Sequence, residues 1–180
     1  MTIGWAGGRL ARIAILGTVA AWILDRWLST RSAGQGPSAM RSSVTIGAPI
    51  DHAWAVLADI ERQPEWMHDL RDVQITTPGP IGVGTRARGR VQAFGISVED
   101  PVEVTAFEAP SHFAIRHVGM VKGGGDIRLT ATADRETVVE WEETLIVPLL
   151  PYLGEIVLAI IFEPIFARDL ERLAALAERG

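Results

Sequence analysis

The chain of 180 residues holds four histidines and no cysteine. That composition removes disulfides, Cys-ligated zinc, iron–sulfur clusters and thiol nucleophiles together. His112 and His117 are five residues apart, which sends them to opposite faces of a regular strand, and no His-x-x-x-His occurs, so no metal site is expected. No Gly-x-Ser-x-Gly elbow is present. The stretch GPIGVG at 79–84 precedes a strand instead of a helix amino terminus, so it reads as a turn and not a phosphate loop, and no cofactor is expected. Lys122–Gly125 (KGGG) lacks the Walker spacing and reads as a loop. What remains is His117 and Glu143, an imidazole and a carboxylate of the kind used for acid–base work, each on the apolar parity of its strand. An ionisable group on a buried face costs several kcal/mol unless paired or wetted. The two therefore mark a hydrated cavity or its mouth, or lie at strand ends that simply reach water. Asp59, Glu61, Glu65, Asp69 and Asp72 read as a solvated helix face.

The elements that must position these residues follow from periodicity. Val44–Ile46 is a short strand signal, and Ala48-Pro49 opens a helix in which Ile50, Trp54, Leu57 and Ala58 recur at helical spacing. Pro64 starts a further turn, with Trp66 and Met67 as its apolar edge. The period then changes to two. Strands are predicted at 71–76, 85–93, 97–107, 112–119, 126–133 and 137–147, joined by short turns as an antiparallel meander. Arg86, Arg88, Arg90, Glu99, Glu103, Arg116, Arg128, Glu140 and Glu142 share one face, a wet surface of cross-strand ion pairs. The other face is apolar and needs a cover. Residues 149–178 supply it as a long helix, with a kink or break expected near Phe162–Pro164. Its stretch 156–162 is apolar all round, so it lines a cavity or its outer side meets membrane, the first helix or a partner.

The amino-terminal quarter is different in kind. Residues 13–24 (IAILGTVAAWIL) carry no charge and reach about 18 Å as a helix, against roughly 30 Å of hydrocarbon. Counted over residues 1–28, with Trp5, Trp22 and Trp27 at the interfaces and Ile13, Leu16 and Leu24 between them, the segment reads as a membrane anchor or interfacial helix. A cleaved signal peptide, or a helix packed on the domain or a partner, are the other readings. Residues 29–43, rich in Ser, Gly, Pro and Ala, read as a flexible tether, leaving 44–180 as the domain. The formal charge of −5 divides the same way, with five Arg and one Asp in residues 1–43 but twelve basic and twenty-one acidic residues beyond. An acidic body has no surface for phosphates, so nucleic acid is not an expected partner.

The words VTIGAPIDHAWAVLADIERQPEWMHDLRDVQI, GVGTRARGRV, VEVTAFEAPSHFAIR, VVEWEETL and LERLAALAER give a second line of reading. In their order this chain resembles the START-like or SRPBCC superfamily, over about residues 43–178. The resemblance implies an α+β helix-grip fold, a curved seven-stranded antiparallel sheet wrapped round a long carboxy-terminal helix, here with an added amino-terminal hydrophobic helix. It also implies an apolar cavity for a hydrophobic small molecule such as a lipid, an isoprenoid or quinone, or a polyketide-like aromatic. The expected lining is Trp66, Met67, Phe113, Ile115, Trp141, Ile156 and Ile160, with His117 and Glu143 as polar contacts. Membrane-tethered binding or transfer is the first functional reading. A cyclase or aromatase using His117 or Glu143 as general acid or base is the second, and an accessory subunit docked to an integral-membrane complex the third.

Overall fold

The computed structural model describes residues 4–31, 39–93, 95–146 and 152–180, with side chains described throughout these except at 4–16, 93, 153 and 155. Among them, seven strands form one antiparallel sheet: β1 (Met40–Ile46), β2 (Leu70–Ile75), β3 (Arg86–Ala93), β4 (Ile96–Glu108), β5 (His112–His117), β6 (Lys122–Ala133) and β7 (Glu136–Ile146). The spatial order is β1-β7-β6-β5-β4-β3-β2, so the meander is complete and the first strand returns to pair with the last. Alternation sorts the two faces as predicted. On the outer face Glu103 lies between Arg86 at 3.1 Å and Arg116 at 3.3 Å, Arg41 meets Glu142 at 2.6 Å, and Arg90 pairs with Asp72. These pairs are exposed, and each adds at most about 1 kcal/mol.

Three α-helices accompany the sheet among the described residues. α1 spans Gly4–Arg31, α2 spans Ile50–Ala58, and α3 spans Leu153–Ala177, while Ile60–Glu65 form a 3-10 helix. Of these, α2 and α3 pack on the sheet. Pro64 lies inside that short helix, near its end and not at its start. On α3 the residues Phe166, Leu170, Leu173, Ala174 and Ala177 recur on one stripe and are buried against β1 and α2. Trp66, Leu57, Ile46, Val104 and Val139 complete the packed core. Each such side chain is worth about 1.5–3 kcal/mol over leaving it in water. The fold is a helix-grip.

Three expectations are corrected. Lys122–Gly125 is not a loop but the start of β6, because a Cβ at Gly124 would come within 2.2 Å of the Ile115 carbonyl oxygen and one at Gly123, which has φ +116°, within 1.9 Å of that of Thr144. Only glycine lets the neighbouring strands approach so closely. α3 runs unbroken through Pro164, which lies on an exposed side of the helix where water can satisfy the freed carbonyl. The tether expected over 29–43 is shorter. α1 continues to Arg31, with the Ser29 and Thr30 hydroxyls donating to the Arg26 and Trp27 carbonyls, and β1 already begins at the buried Met40; residues 32–38 lie outside the described set.

Finally, among the described residues no helix is long and apolar enough to cross a membrane. Arg9, Arg12, Asp25 and Arg26 lie along α1 and flank its uncharged stretch, and the described residues give the transmembrane expectation no support. Trp22, Leu24 and Trp27 are each about half exposed; the side chains of Trp5, Ile13 and Leu16 lie outside the described set. Asp25 is fully buried, and its Oδ1 accepts the Tyr152 backbone N–H at 3.1 Å, which ties α1 to the start of α3.

Candidate functional site

The two ionisable residues predicted on the inner face are brought together. His117 closes β5 and Glu143 lies on β7, two strands away, and the His117 ring spans the gap: Nε2 is 3.0 Å from Glu143 Oε1. The other ring nitrogen, Nδ1, is 2.7 Å from Asp100 Oδ2 on β4. Trp141 Nε1 donates to the remaining Glu143 oxygen at 3.0 Å. A relay of Asp100, His117, Glu143 and Trp141 therefore crosses β4 to β7 on the concave side. Side-chain exposure falls along it, from 21% at Asp100 to 10% at His117 and 5% at Glu143.

Glycine makes the crossing possible. Asp100 pairs with Gly89, His117 with Gly123 and Glu143 with Gly125, so each polar side chain faces a residue that has none. At Gly125 a Cβ would sit 2.5 Å from Glu143 Oε2 and 3.2 Å from Trp141 Nε1. Burial by itself pushes the imidazole towards neutrality, but the hydrogen bonds and charges of Asp100 and Glu143 outweigh it and hold His117 up at about 10. At neutral pH the site is an imidazolium between two carboxylates. They lie on opposite sides of the ring instead of converging on one point, an arrangement that passes a proton along a line.

The apolar surroundings change along the sheet. Val104, Phe113, Ile127, Leu129 and Val139 are buried under α2 and the second half of α3, whereas Val102, Ile115 and Leu145, nearer the relay, are only half-buried. In the first half of α3, Ala159 and Phe162 pack on the core while Ile156 is 44% and Ile160 71% exposed. One end of the grip is packed shut and the other is half-open.

A family profile described as "polyketide cyclase / dehydrase and lipid transport" matches residues 38–178. The chain belongs to this family. Its fold is shared with solved structures at low identity. It is similar to the Zhui aromatase/cyclase from Streptomyces sp. R1128 at TM-score 0.65 and 21% identity, covering 79% of this chain and 94% of that one. A START superfamily protein from Mycobacterium smegmatis superposes at TM-score 0.61 with 17% identity, covering 78% and 94%. A protein from Deinococcus radiodurans does so at TM-score 0.59 with 24% identity, covering 79% and 99%. No curated protein matches by sequence.

Within this member of the cyclase/dehydrase and lipid-transport family, the predicted lining residues divide. Trp66, Phe113 and Trp141 are buried in an aromatic floor, with Trp141 edge-on to Trp66 at 6.1 Å and tilted on Phe166 at 4.5 Å. Met67 and Ile115 are half-buried beside it. Ile156 and Ile160, expected inside, are instead exposed, while Ala159 and Phe162 of the same helix pack on the core. Asp100 and Gly125 complete the site and escaped the sequence reading.

A further buried carboxyl group lies at the closed end. Asp169 on α3 accepts the His68 backbone N–H at 2.9 Å and has Arg172 at 3.9 Å. Burial raises its carboxyl to about 6, against the lowering by the His68 N–H and Arg172, with Asp69 adding to the rise. Asp69 itself, read as part of a solvated face, has one oxygen buried. This group clamps α3 to the chain entering β2 and lies apart from the relay.

Proposed function

We propose that the protein binds a hydrophobic small molecule at the half-open end of the grip, its apolar body on Val102, Ile115 and Leu145 and its polar end at the Asp100–His117–Glu143 relay. The observation that carries this reading is the meeting of a hydrogen-bonded relay with half-buried apolar residues on one concave face. The family's description, spanning lipid transport and polyketide chemistry, supports the same class of ligand. The test is titration with the hydrocarbon fluorophore diphenylhexatriene. Saturable binding is expected for the native chain, weakened at least about tenfold by Leu145→Trp, which fills the space. Binding that is absent, or indifferent to the substitution, overturns the proposal.

A cyclase or dehydratase is the second reading, favoured by one feature: His117 holds a proton inside the fold between two acceptors, a poised general acid. In α1, exposed Val19, Trp22, Ile23, Leu24 and Trp27 lie among Arg26 and Arg31, with the Arg31 guanidinium 3.8 Å above the Trp27 ring. Aromatic and cationic side chains mixed in this way suit a headgroup layer, so the helix is proposed to lie on a membrane surface. There it would hold the binding domain close to an apolar ligand's reservoir.

A further inference from the structure

The hydrogen-bond inventory of the relay specifies which polar end a ligand can carry. Both His117 ring nitrogens are committed, Nδ1 to Asp100 and Nε2 to Glu143. Both Glu143 oxygens are committed too, Oε1 to His117 and Oε2 to the Trp141 indole N–H. Two carboxyl groups against one imidazole leave the line richer in acceptors than in donors. The relay therefore has no donor to spare. Asp100 Oδ2 is bound to His117, while no described residue donates to its Oδ1, and Asp100 is the most exposed member. What the site offers an incoming molecule is one carboxylate oxygen, an acceptor, with negative charge behind it.

We infer that the ligand is an amphiphile whose polar end donates hydrogen bonds, a hydroxyl or an ammonium seated on Asp100, and that carboxylate- and phosphate-ended amphiphiles are rejected. This deepens the proposed function and rests on it. An acceptor-only ligand would leave Asp100 desolvated and facing another lone pair, and an anionic one would add like charge in a site of reduced dielectric. A hydrogen bond to a charged acceptor supplies about 1.5–3 kcal/mol, tenfold or more in affinity.

The experiment displaces the bound fluorophore with three ten-carbon chains, decanol, decylamine and decanoate, on the native chain and on Asp100→Leu. Decanol and decylamine are expected to bind at least about tenfold more tightly than decanoate to the native chain. In Asp100→Leu the preference collapses, while the circular dichroism spectrum and cooperative melt of the native chain are retained, which shows the fold intact. Decanoate binding as tightly as decanol to the native chain, or an undiminished preference in Asp100→Leu, overturns the inference and leaves hydrophobic binding standing. A native chain that takes up neither fluorophore nor any of the three overturns both. A Glu143→Gln variant guards against a misfolded Asp100→Leu: it keeps the acceptor at Asp100 and is expected to retain the preference for decanol over decanoate.

Discussion

Asp169 and His117 are buried groups whose affinity for protons the fold raises, the first to about 6 and the second to about 10. A raised value contributes stability that is complete below the unfolded value and is lost as pH rises through the folded one. Asp169 therefore withdraws its contribution between about 3.8 and 6 and His117 between about 6.5 and 10. Thermal melts should show Asp169→Asn, which keeps an acceptor for the His68 N–H, more stable than the native chain at pH 8 but not at pH 4. His117→Gln should be several degrees less stable at pH 6.5, the deficit shrinking towards pH 10. Differences that do not vary with pH would contradict the assignment. The parity of β5 and β7 was enough to single out His117 and Glu143 from sequence. Asp100 shares the parity of Val102 and Val104, but between Glu99 and Pro101 it reads as the wet end of a strand. Only the strand register brings it to His117, and register is a property of pairs of strands that a single sequence does not spell out.

At the scale of elements, periodicity served well where one face is wet. The meander's charged and apolar rows appear almost as predicted because alternation leaves each strand no second choice. It served poorly in β6 and α3. Three consecutive glycines carry no strand preference of their own, so Gly123–Gly125 become strand only through the close approach of β5 and β7. The first half of α3 is apolar on every side, so nothing in it distinguishes Ile156 and Ile160 from residues that face the sheet. Pro164 likewise signals a break that tertiary packing overrides. A proline inside a helix still lacks its N–H and strains the preceding turn by about 3 kcal/mol. Pro164→Ala should therefore raise the urea midpoint, with a gain of about 1–2 kcal/mol after the unfolded chain's recovered freedom is subtracted. A lowered midpoint would contradict this account of strain at Pro164.

At the scale of the whole molecule, the basic arm and acidic body noted in the sequence correspond to separate structural parts, joined where Asp25 accepts the Tyr152 N–H. Family membership covers the body, 38–178, and leaves α1 outside. Deleting residues 1–31 should leave a cooperatively melting domain that no longer sediments with anionic vesicles, whereas the intact chain sediments in a salt-sensitive manner. An intact chain that stays in the supernatant would remove the membrane-surface proposal. The crossing of four strands by one relay also governs how such a protein can vary over generations. Gly125 and Glu143 occupy each other's space, so a lineage that places a side chain at 125 must surrender the carboxylate, and one that surrenders the carboxylate no longer needs a glycine to accommodate it. The relay is thus inherited in pairs, and its loss in a descendant would be written twice, at positions eighteen residues apart.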